Sequence, residues 1–91
     1  MRDLDSRPVR APRVLAQASG PTLILLDPDS GECYTLDEVG ARIWDLCDGT
    51  RPVADVVALL HADFDAPIAA IQADVLELLD DLARDALIAA G

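Results

Sequence analysis

Residues 22–38 read Thr22-Leu23-Ile24-Leu25-Leu26-Asp27-Pro28-Asp29-Ser30-Gly31-Glu32-Cys33-Tyr34-Thr35-Leu36-Asp37-Glu38, and they decide the fold. The first five residues are a continuous apolar run, too short for an ordinary helix and rich in strand formers. They predict a strand buried on both faces and therefore central. The next five are turn chemistry: proline fixes φ, aspartate and serine bond nearby backbone, and glycine supplies positive φ. Glu32 to Leu36 follow as a strand whose alternation sends Tyr34 and Leu36 to one face and Cys33 and Thr35 to the other. At Asp37 the pattern switches to helical. Asp37 is a good N-cap and Glu38 suits the positive end of the helix dipole.

Outward toward the N-terminus, Ser19-Gly20-Pro21 is a turn signal and residues 14–18 are a further short strand. Three strands joined by short turns predict an antiparallel meander. Residues 1–13 read as a flexible arm, leaving residues 14–91 as one domain. Toward the C-terminus, Val39, Ile43, Leu46 and Cys47 keep helical spacing with Trp44 beside them, and Gly49 is a natural stop. Pro52 suits a first helical turn, and Val53, Val56, Val57, Leu60 and Phe64 form an i, i+3, i+4, i+7 face. Asp65-Ala66-Pro67 opens a third helix. Its inner face is Ile68, Ile71, Val75, Leu78, Leu79 and Leu82, and its outer side is Asp74, Glu77, Asp80, Asp81 and Asp85. Ala86-Leu87-Ile88 reads as a short terminal extension docked on the body. The fold class is thus α+β, a winged helix-turn-helix-like arrangement with a three-stranded antiparallel N-terminal sheet followed by three helices.

A chain of 91 residues, 52% hydrophobic, supports one modest core. Domains of this size bury roughly 60–65% of their unfolded surface, which leaves no room for a deep, water-free active site. Aromatics are confined to Tyr34, Trp44 and Phe64, so the core is aliphatic. The net charge is −10, with no lysine and four of the seven arginines in the first thirteen residues. So acidic a body repels phosphate and favours a basic partner; the same acidity also serves solubility, and the absence of lysine is also what codon bias in a GC-rich genome produces. The third helix, with Gln72 and Arg84 among its carboxylates, lacks what a DNA-reading helix needs.

Catalysis is poorly supported. His61 is the single histidine and has no nucleophile at a recognisable spacing. Asp80 and Asp81 project about 100° apart on a helix, which does not make an acid–base pair. Asp27, Asp29 and Glu32 miss the spacing of a calcium loop, and there is neither a phosphate-cradling glycine loop nor a metal-spaced cluster. No cofactor and no enzymatic activity are expected. Cys33 and Cys47 form no CxxC pair, and with no export signal they read as reduced thiols of a cytoplasmic protein. No apolar run reaches the roughly 20 residues that span a membrane.

What remains is a surface for a peptide. The last strand of the meander has an edge free to template another strand, with Glu32, Cys33, Tyr34, Thr35 and Leu36 along it and neither proline nor lysine to block it. The third helix offers Ile71, Val75 and Leu78 beside Asp74. A groove between strand and helix would grip an extended peptide by main-chain bonds and select it by side-chain pockets. The apolar helix residues also read as core, Val75 most of all.

Leu25-Leu26-Asp27, Gly31 and the run Tyr34-Thr35-Leu36-Asp37-Glu38-Val39-Gly40-Ala41-Arg42-Ile43-Trp44-Asp45-Leu46 resemble the PqqD-like superfamily. So do Asp48-Gly49-Thr50, Val53-Ala54-Asp55-Val56-Val57, Ala73-Asp74-Val75 and Leu78-Leu79-Asp80-Asp81-Leu82. The resemblance implies the winged fold known as the RiPP recognition element, three strands and three helices. It also implies that the leader of a ribosomally made precursor adds a strand beside the third strand and against the third helix. Asp37 stands where the family often has Asn, and Pro52 where it often has Ser or Thr; both substitutions preserve a helix start. A free-standing domain with Ile43-Trp44 is most similar to lasso-peptide leader-binding proteins. Its implied partners are a precursor leader peptide, a separate cysteine-type leader peptidase and an asparagine-synthetase-like cyclase. Pyrroloquinoline quinone assembly, with delivery to a radical enzyme, is the alternative within the family. A generic interaction domain for a basic protein partner, or a DNA-binding regulator, would lie outside it.

Overall fold

A computed structural model describes residues 4–89. Five strands and three helices follow in the order β1 (Val9–Arg10), β2 (Leu15–Ser19), β3 (Thr22–Leu26), β4 (Cys33–Leu36), α1 (Glu38–Leu46), α2 (Val53–Asp63), α3 (Ile68–Arg84) and β5 (Ile88–Ala89). The strands β2-β3-β4 form the expected antiparallel meander, and the α+β winged arrangement stands. The β2–β3 turn needs a positive φ at its first loop position, which Gly20 supplies at 61°. The β3–β4 loop closes on itself: the Gly31 amide donates to the Asp27 carbonyl (2.8 Å) and the Asp29 amide to the Asp27 carboxylate (3.0 Å).

Three details differ from the sequence reading. β3 is central in strand order but covered on one face only. Leu25 is fully buried while Ile24 is 39% exposed, because the helices lie on one side of the sheet and an antiparallel sheet tolerates solvent on the other. Ile68, expected on the inner face of α3, is 52% exposed at the helix's first residue. The third difference concerns the expected flexible arm, of which residues 4–13 are described. They are tied to the body throughout. Pro8 is among the fully buried side chains, and β1 pairs with β5, Val9 opposite Ala89 and Arg10 opposite Ile88.

The physical reason is that two helix ends need partners they do not carry. Pro52, the N-cap of α2, makes no side-chain cap bond. The first amides of α2 donate instead to the arm, Val53 to the Ser6 carbonyl (2.9 Å) and Ala54 to the Leu4 carbonyl (3.0 Å). α1 has no basic residue in its last turn. Arg10 reaches across to donate to the Trp44 and Asp45 carbonyls at 3.0 and 2.7 Å, meeting the orphan acceptors and negative end of that helix. The core beneath is aliphatic, with Leu25, Ile43, Leu60, Leu79 and Leu87 fully buried. Leu87 and Ile88 dock the C-terminal extension as the sequence predicted.

Candidate functional site

Among the described residues β4 pairs with β3 alone, which leaves its other edge open. Which backbone groups face outward follows from the register. The Asp27 amide donates to the Glu32 carbonyl across the register in which Leu26 faces Cys33 and Leu25 faces Tyr34. Bonded and non-bonded pairs alternate along an antiparallel ladder. Tyr34 and Leu36 therefore bond inward to β3, and Cys33 and Thr35 turn their N–H and C=O groups outward.

That open edge runs into a cleft of about 510 Å³ between the end of β4, the start of α1 and the middle of α3. Leu36, Val39 and Ile43 give it an apolar floor, and Asp74 and Leu78 form the α3 wall. Asp74 and Leu78 share a face because they stand one helical turn apart. Gly40 lets the first turn of α1 fold tightly against the end of β4, with Leu78 of α3 in ordinary contact beyond it. A Cβ at this position would stand 3.2 Å from both the Leu36 Cβ and the Asp37 carboxylate and 3.5 Å from the Leu78 Cδ2. α1 is anchored at the cleft by its cap, the Gly40 amide donating to Asp37 at 2.8 Å.

Of the residues expected at a peptide site, the cleft collects Thr35, Leu36, Asp74 and Leu78. Glu32, Cys33 and Tyr34 continue along β4 away from it, and the Tyr34 hydroxyl donates to Glu32 at 2.8 Å. That bond, helped by partial desolvation and the nearby Asp85 carboxylate, pushes the phenol up to about 12. Val75 is fully buried and Ile71 nearly so; both lie in the core and do not line the cleft. Sequence reasoning did not anticipate Asp37, Val39, Gly40 and Ile43 as lining. Gly40 carried the available signal, a glycine inside an otherwise well-formed helix, which marks close approach. No group of three or more potential metal ligands and no helix long and apolar enough to cross a membrane occurs among the described residues.

Three strands and three helices, with an open strand edge entering a cleft of mixed polar and apolar lining, define a small winged α+β domain. The fold is shared with two solved structures. TbiB1 in complex with the TbiA(beta) leader peptide superposes with a TM-score of 0.79 at 24% identity, covering 88% of this chain and 93% of that one. A lasso peptide synthetase B1 complexed with its leader peptide gives 0.80 at 20% identity, covering 91% and 98%. The chain belongs to the PqqD family, whose model, coenzyme PQQ synthesis protein D, matches residues 22–88. Relatives named PqqA binding protein include one from Xanthomonas axonopodis pv. citri, 36% identical over 92% of this chain and 91% of the relative. Another, from Xanthomonas euvesicatoria pv. vesicatoria, is 38% identical over 71% and 68%.

Proposed function

We propose that this domain holds the leader segment of a ribosomally made precursor peptide and presents it to a separate maturation enzyme. The leader adds as a strand to β4, bonding the outward groups of Cys33 and Thr35, and sets alternate side chains into the cleft. The observation that carries this reading is the open edge of β4 entering a cleft against α3 that is half apolar and half polar. The names of the PqqA binding relatives and the leader peptides in the two similar structures support it. Glu32 and Tyr34 extend the contact along the strand, while Ile71 and Val75 support the wall from behind. The domain supplies substrate and leaves bond-making to its cytoplasmic partner, a leader peptidase or a cyclase in a lasso pathway. Delivery to a radical enzyme in quinone-cofactor assembly is a second reading, favoured by the identity to the PqqA binding relatives, higher than that to either leader-peptide complex.

Micromolar binding corresponds to about −8 kcal/mol. A few strand bonds at roughly 0.5–1.5 kcal/mol net each fall short of that, so side-chain anchors in the cleft must contribute. Calorimetric titration with the precursor encoded beside the gene should show binding at micromolar concentration or tighter. Leu78→Glu should weaken it while the fold survives, since Leu78 is only half-buried. Absence of heat at tens of micromolar would remove the proposal.

A further inference from the structure

The cleft carries a charge that no described residue balances. Every described arginine is engaged elsewhere. Arg7 donates to the Thr50 carbonyl and Arg10 to the end of α1. Arg13 pairs with Asp27 and Asp29, Arg42 with Asp63, Arg51 with Asp48 and Arg84 with Asp81. A smaller cleft on the other side of α1 has Arg42 in its lining, paired with Asp63, beside Glu38 and Asp45. The β4–α3 cleft has no cation in its lining, which includes the carboxylates of Asp37 and Asp74. Asp37 is occupied by the Gly40 amide. Asp74 is exposed and has no hydrogen-bond or ion-pair partner among the described residues.

The strand register says which peptide residue would meet this carboxylate. Side chains directly opposite one another across paired strands lie on the same face of the sheet. Leu36 faces the cleft, so the residue of an added strand opposite Leu36 enters the cleft too. Its neighbours, one residue either way, point to the solvent side of the sheet, where Thr35 lies. A side chain entering there meets Leu36, Val39 and Leu78 first and Asp74 at the wall. Long cationic side chains fit that sequence of surfaces, laying their methylenes on apolar ground while the charged head stays at a polar rim.

Resting on the leader-binding reading, we infer that the domain selects a peptide with a lysine or arginine opposite Leu36, its stem on Leu36, Val39 and Leu78 and its head paired with Asp74. Asp74 is then a specificity-determining residue, and the peptide class is one with a basic residue at a fixed place in an extended segment.

The test uses the full chain and a displayed library of random twelve-residue peptides, with enriched peptides titrated by fluorescence anisotropy. Enriched peptides should share a lysine or arginine at one position. Asp74→Asn should weaken them about tenfold, the size expected of a charge-assisted hydrogen bond. Changing that peptide lysine to norleucine should give a similar loss, and the two losses should not add. Asp74→Arg should enrich glutamate or aspartate at the same position. Enriched peptides with no basic preference, or indifferent to Asp74→Asn, overturn the inference. Thr35→Pro separates this from the parent reading. It deletes an outward-facing donor without touching the β3 ladder. Cys33→Pro repeats that deletion should the first variant not fold. Binding lost in a proline variant but unchanged in Asp74→Asn overturns the inference and keeps the leader-binding reading. Binding unchanged in both, or no enrichment at all, overturns the two together.

Discussion

Tyr34 is the chain's single tyrosine, so its ionisation can be read without assignment. Absorbance near 295 nm should titrate with a midpoint near 12, and Glu32→Gln should bring it down toward the ordinary value of 10.0. Asp27 behaves in the opposite sense. It is buried, it accepts from Arg13 at 3.1 and 3.3 Å, and that bond holds its carboxyl below 3.8 against the desolvation that would raise it. Asp48 is also lowered, by the Thr50 hydroxyl and amide first and Arg51 after them. A lowered carboxyl contributes stability that is full above its unfolded value and lost as pH falls through the folded one. A raised phenol contributes stability that is full below 10 and lost as pH climbs toward 12. Unfolding midpoints should therefore fall off below about pH 4 and again above pH 10, and Glu32→Gln should soften the alkaline loss. A flat profile at either end would contradict the bonds described.

At the level of elements, α1 builds much of the cleft through Val39, Gly40 and Ile43. Its start rests on the Asp37 cap, and Asp37→Ala should cost about 0.5–2 kcal/mol, measurable by denaturant unfolding. The same change should perturb peptide binding, since the cap holds Gly40 beside Leu36 and Leu78. This start was legible in the sequence because an aspartate at the switch from period two to period 3.6 has one good use. The register of β4 was legible for the same kind of reason: Tyr34 and Leu36 face inward and Cys33 and Thr35 outward, as alternation dictates. The cleft was legible in part. Leu36, Asp74 and Leu78 could be placed on it from periodicity. Ile71 could not be separated from Leu78, because a helical stripe says which face is inward and not how deep each residue sits. Ile71 is packed into the core, whereas Leu78 lies where α3 passes over the glycine of α1.

For the molecule as a whole, the N-terminal segment is the main revision. Its composition, with charged residues flanking prolines, gives no sign of order, because what orders it lies far along the chain, from 34 positions away at the end of α1 to the start of α2 and β5 beyond. Deleting residues 1–11 should remove the five backbone bonds that Leu4, Ser6, Pro8, Arg10 and Ala11 make to those elements. At roughly 0.5–1.5 kcal/mol each, with the burial of Pro8 lost as well, the cost is about 5 kcal/mol or more. That is comparable to the whole stability of a small domain. The deleted chain should show little cooperative unfolding by circular dichroism. A deletion that melts near the parent temperature would restore the arm to a dispensable role.

The pairing of Val9 with Ala89 also has a consequence during synthesis. β1 cannot find its partner, and Leu87 cannot enter the core, until translation has passed residue 89 and that segment has cleared the ribosome. Until then the nascent chain carries an incomplete core and an unpaired first strand. Folding is therefore set to finish in one late step once that segment is free to pair, as expected where contacts of long sequence separation close a small domain. A ribosome stalled shortly before residue 87 should hold a chain that a protease cuts throughout, and one stalled some forty codons past residue 89 should hold a resistant domain.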